Sequence, residues 1–212
     1  MRKVMLAFVC VGATLLAQDN ADPAVPVEGL TSTAPAIEPQ LEPMSVPQRF
    51  EWAAKTAVSP KRLAGYMISS GISTAMNSPH EYGPHWDGYG KRVGLRASTG
   101  ATGLMLEAGI GAFFGEDPRY VRATGRPLKG RLSNIVKLTF MAYNRDGEIV
   151  PAYGRYIAIP ANSYLTNLWR PDSHATVEKG LFRIPLSFVD RLISNAVSEF
   201  WPDVTKPLHR GK

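Results

Sequence analysis

The architecture of this chain is set by the run Lys91-Arg-Val-Gly-Leu-Arg-Ala-Ser-Thr-Gly-Ala-Thr-Gly-Leu-Met-Leu-Glu-Ala-Gly-Ile-Gly-Ala-Phe-Phe114. Each glycine inside a helix lowers helix stability by about 1 kcal/mol, so a helix here needs a compensating contact. Small residues three or four positions apart supply one, because they allow a neighbouring helix to approach closely. We therefore predict a tightly packed helix over this run, ended by Gly115-Glu-Asp-Pro118. The glycines of the run are Gly94, Gly100, Gly103, Gly109 and Gly111.

The same run is also compatible with a helix that inserts into a membrane. Arg96 and Glu107 interrupt its apolar residues, and a charge at the centre of a bilayer is costly. The residues therefore favour a helix buried in protein. An integral membrane protein that inserts Gly94–Phe114 stands as the alternative.

Further helices are predicted on both sides of this run. Ser59-Pro60 is typical of a helix start, and Asn77-Ser78-Pro79 of a helix end. Downstream, helices are predicted over Pro127–Tyr143 and over residues 161–168, with a turn at Asn144–Gly147 between them. The helix that starts at Ser59-Pro60 has an apolar stripe, which consists of Leu63, Met67, Gly71 and Ala75.

The last helix, from Pro185 onward, has the clearest amphipathic pattern. Upstream of it, Tyr156–Ile159 is compatible with a short strand or with a broken helix, because Pro160 disfavours helical geometry at the residue before it. The apolar side of the last helix, predicted to face the core, holds Phe188, Val189, Leu192, Ile193, Ala196, Val197 and Phe200. Its predicted solvent side holds Asp190, Arg191, Ser194, Asn195, Ser198 and Glu199.

These patterns together predict a mostly α fold. We expect a compact bundle of about five helices with glycine-rich close helix packing. A disordered linker is expected to precede the bundle.

Residues 1–17 are typical of a secretory signal peptide. Two basic residues precede an apolar run, Val4–Leu16, which is shorter than the roughly 20 residues of a spanning helix. Cleavage is predicted between Ala17 and Gln18, and it removes Cys10, the only cysteine. We therefore expect an exported protein, periplasmic or associated with the outer membrane, with no disulfide and no cysteine-bound metal.

Charge divides the rest of the chain into two parts. Residues 18–47 hold six prolines, five acids and no base, which is typical of an extended, disordered linker. Residues 48–212 carry 22 bases against 13 acids, a net charge of +9, and are predicted to form a basic helical domain. Export places such a domain beside anionic lipid, so the expected partner is an anionic lipid or an envelope protein. No nucleic-acid-binding module is recognisable, and nucleic acid is not expected as a partner.

One group of bases is a candidate binding site for an anion or a lipid head group. Positive side chains near a helix start oppose the helix dipole, so an anion shared between them and the free amides would relieve the conflict. The alternatives are a solvated basic face and pairing with acids such as Glu116 and Asp117. The group consists of Arg119, Arg122, Arg126, Lys129 and Arg131.

The loop around His80-Glu-Tyr-Gly-Pro-His85 is a second candidate polar site. Its histidines are five residues apart with a proline between them, whereas the zinc-protease motif needs histidines four apart on a helical turn. A metal site or a hydrolase centre built from His80, His85 and Asp87, with His174 as a further ligand, stands as an alternative to a surface loop packed by its rings. No nucleophile-elbow serine, Ser-x-x-Lys pair or phosphate-binding glycine fingerprint is present.

Five sequence segments are distinctive: Tyr89-Gly-Lys-Arg-Val-Gly-Leu-Arg96, Gly115-Glu-Asp-Pro-Arg-Tyr120, Pro151-Ala-Tyr-Gly-Arg-Tyr156, Trp169-Arg-Pro-Asp-Ser173 and Glu199-Phe-Trp-Pro-Asp203. They resemble those of an uncharacterised family of exported bacterial proteins. The resemblance covers roughly residues 48–205 and implies that this span is one domain. It implies no activity, substrate or catalytic residue.

The sequence therefore predicts a non-enzymatic envelope protein that acts as a peripheral membrane-surface or partner-binding helical domain. No catalytic, cofactor-binding or metal-binding residue is predicted. The two alternatives are a hydrolase or metal-dependent enzyme that uses the loop at residues 80–87, and the integral membrane protein described above.

Overall fold

The computed structural model describes residues 42–209, which belong to one unit, Glu38–Lys212. The predicted signal peptide, residues 1–17, and residues 18–41 of the predicted linker lie outside the described residues.

Six α-helices and one short hairpin make up the described part of the chain, which confirms the prediction of a mostly α fold. Three short 3-10 turns, His80–Tyr82, Thr166–Trp169 and Asp172–His174, lie between helices. In chain order, the elements are α1 (Val46–Ala57), α2 (Pro60–Ala75), α3 (Trp86–Phe114), α4 (Leu128–Phe140), β1 (Met141–Tyr143), β2 (Ile149–Pro151), α5 (Tyr153–Leu165) and α6 (Val177–His209).

The glycine-rich helix α3 packs against three others, α1, α2 and α5, while α6 packs against α4 and α5. A close helix contact joins α3 to α5, where a Cβ atom added to Gly154 would lie 2.7 Å from the Cα of Gly111. The two backbones therefore touch, as the small residues of α3 predict. Gly115, with φ at +73°, ends α3 in the left-handed conformation.

The segment Gly94–Phe114 lies within α3 and packs against protein. Leu104, Ala108 and Gly111 are buried there. Within residues 42–209, no helix has the length and apolar composition that a membrane span requires.

The helix starts follow the expected chemistry, with one difference at the N-terminal boundary. Ser59 precedes α2 in an extended conformation, with Pro60 in the first turn. The predicted linker reaches residue 47, but α1 already begins at Val46. A capping box between Ser45 and Gln48 defines this start.

Three boundaries downstream differ from the predictions. The helix predicted over Pro127–Tyr143 ends at Phe140, and residues 141–143 pair with 149–151 as an antiparallel hairpin around the predicted turn. The segment predicted as a strand or broken helix is one helix, α5, which contains Pro160. The last helix starts at Val177 and contains Pro185 in its interior. In the last two cases tertiary packing overrides the local preference of proline.

The direction of the last helix is the main correction. Asn195 and Glu199, predicted to face solvent, are 3% and 0% exposed. Val189 and Ile193, predicted to face the core, are 52% and 55% exposed. The polar edge of α6 thus points inward and part of its apolar edge points outward.

Helix α2 shows the same inversion. Met67 in its predicted apolar stripe is 53% exposed, whereas Ser70 is fully buried. Apart from Leu104, Ile135 and Leu138, the buried hydrophobic residues in the described chain are alanines. The interior therefore combines a small apolar cluster, built from Ala53, Ala57, Leu104 and Ala108, with many polar side chains. The largest fully buried side chains are Arg49, Arg92, Glu199, Thr139, Thr166 and Ser70.

Candidate functional site

A cleft of about 1100 Å³ lies between α2, α3 and α6, and residues from the end of α5 and the turns after it complete its wall. Its wall is strongly basic. Within the described chain the one acidic side chain in the wall is Asp190, and the basic ones include Arg62, Arg96, Arg119, Arg122, Arg170 and Arg183.

Three of these bases, which we call the arginine trio, come from separate elements: Arg96 from α3, Arg170 from the segment after α5, and Arg183 from α6. Arg96 donates to the Ser73 hydroxyl at 2.6 Å. Arg170 donates to the Thr99 hydroxyl at 3.2 Å. Both arginines are therefore held by neutral hydroxyl groups, and neither forms an ion pair with a described carboxylate.

Arg183 is held in the same way, by neutral acceptors. It donates to the backbone carbonyls of His174 at 2.8 Å and Ser163 at 2.7 Å, and to the side-chain oxygen of Asn167. These bonds fix the guanidinium group in the cleft wall without neutralising its charge.

Several buried polar atoms of the cleft wall have no hydrogen-bond partner in the described chain. They include Nε of Arg96, Nε of Arg183, the hydroxyl of Tyr66 and Oδ1 of Asn162. The Tyr66 hydroxyl lies against α3 at Gly100, where a Cβ atom would overlap it. Buried polar groups are normally hydrogen-bonded. The described chain therefore leaves part of the hydrogen-bonding capacity of the cleft wall unused at these four atoms.

The electrostatics of the trio follow from this arrangement. Burial, followed by the positive charges of Arg183 and Arg96, lowers the pKa of Arg170 to about 10. Burial also lowers the pKa of Arg96, against the opposing effect of Asp190. The groups stay protonated at neutral pH, and their mutual repulsion would be relieved by an anion.

Several other arginines differ, because each of them has a carboxylate partner. Glu107 on α3 lies 3.0 Å from both Arg155 and Arg191. Glu199 on α6 accepts from Arg131 at 2.8 Å. These pairs serve the core. Arg49 and Arg92 are buried and also lack a carboxylate partner, but backbone carbonyls accept from their Nε atoms, whereas Nε of Arg96 and Nε of Arg183 have no acceptor in the described chain.

The predicted basic group between α3 and α4 is largely turned toward internal acceptors. Arg119 forms an ion pair with Asp117 at 2.5 Å. Arg122 donates to the backbone carbonyl of Glu199 at 2.8 Å, and Arg131 contacts the carboxylate of the same residue. Arg119 and Arg122 nevertheless also line the cleft. The two exposed members of the group are Arg126 and Lys129.

The loop predicted as an alternative polar site is an exposed surface in the structure. His80, His85 and Asp87 are all exposed; His80 lies 3.5 Å from Glu81, and Asp87 lies 3.6 Å from Lys91. Among the described residues, no three side chains of histidine, cysteine, aspartate or glutamate lie close enough together to hold a metal ion.

A buried arginine helps to fix the shape of this loop. Arg92, 1% exposed, donates to three backbone carbonyls of the loop at 2.7 to 3.0 Å. The acceptors are Ser78, Pro79 and Gly83.

A second surface feature consists of two sets of ring contacts, one helical turn apart on α5, which we together call the aromatic surface. Phe113 contacts Phe114, and Phe114 contacts Tyr153, with ring centres 5.3 and 5.7 Å apart. One helical turn along α5, Tyr156 contacts Phe188, which stacks on Phe140. The exposed fractions reach 86% for Phe113 and 50% for Tyr153. The six members are Phe113, Phe114, Phe140, Tyr153, Tyr156 and Phe188.

Sequence reasoning missed the cleft, although one signal for it is present. Arg62, Tyr66, Ser69 and Ser73 recur at helical spacing along α2, and all four line the cleft. This polar stripe could have identified the inward face of α2. The trio carries no comparable local signal, because its members are far apart in sequence.

No known protein-family profile matches the chain, and no curated protein or solved structure shows significant similarity to it.

Proposed function

We propose that this chain is an exported, non-enzymatic envelope protein that binds peripherally to an anionic membrane through its aromatic surface. The observation that carries the proposal is the exposure of phenylalanine and tyrosine rings at the ends of α3 and α4 and at the start of α5, beside the half-buried ring of Phe188 on α6. Contiguous exposed apolar surface marks an interaction site. Aromatic rings with a polar edge favour the boundary between lipid and water.

Charge favours lipid as the occupant of this surface. Arg145 donates to the backbone carbonyl of Ala112, the residue before Phe113, which places its guanidinium group beside the rings. Lys137 is exposed and precedes Phe140 by three residues on α4, so the two share a helix face. Bases that flank an apolar surface attract anionic lipid, and the net charge of +9 over residues 48–212 acts in the same direction.

Two exposed rings at opposite ends of α3 provide a matched test. Phe113 is 86% exposed within the aromatic surface, and Trp86 is 85% exposed about 40 Å away along the helix. Full-length protein is mixed with vesicles of mixed anionic and zwitterionic lipid, and the bound fraction is measured by sedimentation. Because insertion of one phenylalanine contributes about 1.5–3 kcal/mol, Phe113→Ser should weaken binding by about tenfold or more. Trp86→Ser should bind as the parent does.

Salt and lipid composition complete the test. Binding should decrease as ionic strength rises or as anionic lipid is replaced by zwitterionic lipid, because the flanking bases are exposed and therefore screened. An equal loss in both variants, or no loss in Phe113→Ser, would contradict the proposal.

A further inference from the structure

We propose that the cleft between α2, α3 and α6 is a binding site for a phosphate-bearing ligand whose anionic group is held by Arg96, Arg170 and Arg183. The site lies apart from the aromatic surface and does not depend on the function proposed above. Its residues come from three elements that the bundle brings to one wall.

The first argument is the missing counter-charge. Elsewhere in the described chain a buried arginine such as Arg155 has a carboxylate at about ion-pair distance. Within the described residues the trio has only hydroxyl, amide and carbonyl acceptors. Arg49 and Arg92 also lack a carboxylate partner, but backbone carbonyls accept from their Nε atoms, whereas Nε of Arg96 and Nε of Arg183 have no acceptor. Asp190 lies in the same wall, but it is exposed and forms no ion pair with the trio within the described residues. Partly buried charges of one sign without a partner fit an anionic ligand.

The second argument is geometry. A guanidinium group presents parallel N–H donors that match the oxygens of a phosphate. Nε of Arg96 and Nε of Arg183 have no acceptor in the described chain, and the Tyr66 hydroxyl likewise has no partner. Three elements thus contribute buried polar atoms at the cleft wall that have no hydrogen-bond partner in the described chain.

The third argument concerns size and polarity. A volume of about 1100 Å³ exceeds what a simple ion requires and corresponds to a sizeable organic ligand. Leu186, Ile193 and Val197 from α6 line the same cleft and are 48%, 55% and 40% exposed. A ligand with a phosphate group and an apolar portion would contact both parts of the wall. The shared chemistry is the phosphate group, whether it comes from a lipid or from a small soluble ester.

Titration calorimetry of the full chain with two probes tests the site and separates these sources. The probes are inorganic phosphate and a monomeric short-chain phosphatidic acid. We expect the parent to bind at least one of them. Tighter binding of phosphatidic acid identifies a lipid source, whereas equal affinity for both probes identifies soluble phosphate.

Arg170→Met should weaken phosphate binding by about tenfold or more, because it removes a charge-assisted contact. Arg126→Met removes an exposed arginine outside the cleft and should bind as the parent does. Arg96→Gln provides a second variant with the same expected loss. Phe113→Ser should leave binding in the cleft unchanged, which separates this proposal from the membrane proposal.

Thermal unfolding adds a readout that a structural role would not produce. Without ligand, Arg170→Met should unfold at the same or a higher temperature than the parent, because an unneutralised charge has been removed. The phosphate-induced rise in unfolding temperature should disappear. Failure of the parent to bind either probe would overturn the proposal. Undiminished binding by both Arg170→Met and Arg96→Gln, or equal loss in Arg126→Met, would also overturn it.

Discussion

The hydroxyl of Tyr120 donates a 2.8 Å hydrogen bond to Oε2 of Glu199 and so joins the segment after α3 to the last helix. The same carboxylate accepts from the amide of Ala123 at 3.1 Å and from Arg131 at 2.8 Å. Glu199 is fully buried. One side chain of α6 therefore fixes the approach to α4 through three donors.

Removal of this carboxylate should be strongly destabilising. Glu199→Ala leaves the Tyr120 hydroxyl, the Ala123 amide and Nε of Arg131 without their carboxylate acceptor, and the expected loss is at least about 1–3 kcal/mol in the free energy of unfolding. Urea denaturation followed by circular dichroism measures it. Glu178→Ala, an exposed glutamate on the same helix, is the control and should match the parent. A loss no larger than that of the control would contradict the role given to Glu199.

The carboxylates of Glu107 and Glu199 predict a loss of stability in acid. Burial alone would raise the pKa of Glu107 and of Glu199. At Glu107, the positive charges of Arg191 and Arg155 outweigh this effect. At Glu199, the hydrogen bonds from Arg131 and Tyr120 outweigh it. Both pKa values therefore lie below the ordinary value of 4.5. The unfolded chain takes up these protons first as the pH falls, so the stabilisation is complete above 4.5 and disappears as the pH falls through the lowered values.

Urea midpoints between about pH 7 and about pH 3 measure this dependence. Glu199→Gln should show a shallower acid limb than the parent, since one of the two groups no longer titrates. An identical pH profile in the variant would show that Glu199 does not contribute.

The close contact between α3 and α5 predicts opposite effects of one methyl group at two glycines. Gly154→Ala would place Cβ 2.7 Å from the backbone of Gly111, and overpacking of this kind lowers the free energy of unfolding by about 1–3 kcal/mol or more. At Gly94 nothing lies within 4 Å of the added atom. Gly94→Ala should therefore raise stability by about 0.5–1 kcal/mol through helix propensity. Chemical denaturation of both variants is sufficient, and destabilisation of equal size would contradict the packing described for α3.

Two tyrosine hydroxyls offer a similar comparison. The Tyr66 hydroxyl is buried without a partner, whereas that of Tyr156 donates to the Phe140 carbonyl at 2.7 Å. Tyr66→Phe should raise the free energy of unfolding of the unliganded protein by about 1 kcal/mol, because an unsatisfied buried group is removed. Tyr156→Phe should lower it by about 1 kcal/mol. Equal destabilisation in both would show that Tyr66 has an acceptor in solution.

The sequence was sufficient to place the elements governed by local chemistry. The glycine spacing of α3, Pro60 at the start of α2 and the turn before Gly147 all lie where their backbone preferences predict. Helix α1 was missed because a proline at position 47 suggests a linker, although proline is equally acceptable in the first turn of a helix.

The orientation of the helices was not predictable from hydrophobic periodicity. That pattern assumes that apolar residues point inward, whereas Asn195 is buried and Ile193 is exposed. The reversal depends on polar partners distant in sequence, such as Thr139, which accepts a hydrogen bond from Asn195 at 3.1 Å. The cleft was missed for the same reason, because Arg96 and Arg183 come to line one cleft only once the helices of the bundle have packed.

The polar interior has a thermodynamic consequence. Unfolding normally increases the heat capacity by about 12–15 cal/mol/K per residue, because newly hydrated apolar surface raises it more than hydrated polar surface lowers it. Here the largest fully buried side chains are polar, and many large apolar side chains already contact solvent. The heat-capacity increment should therefore be small, and the stability of the bundle should change only gradually with temperature, with its cold-denaturation limit far below the usual range.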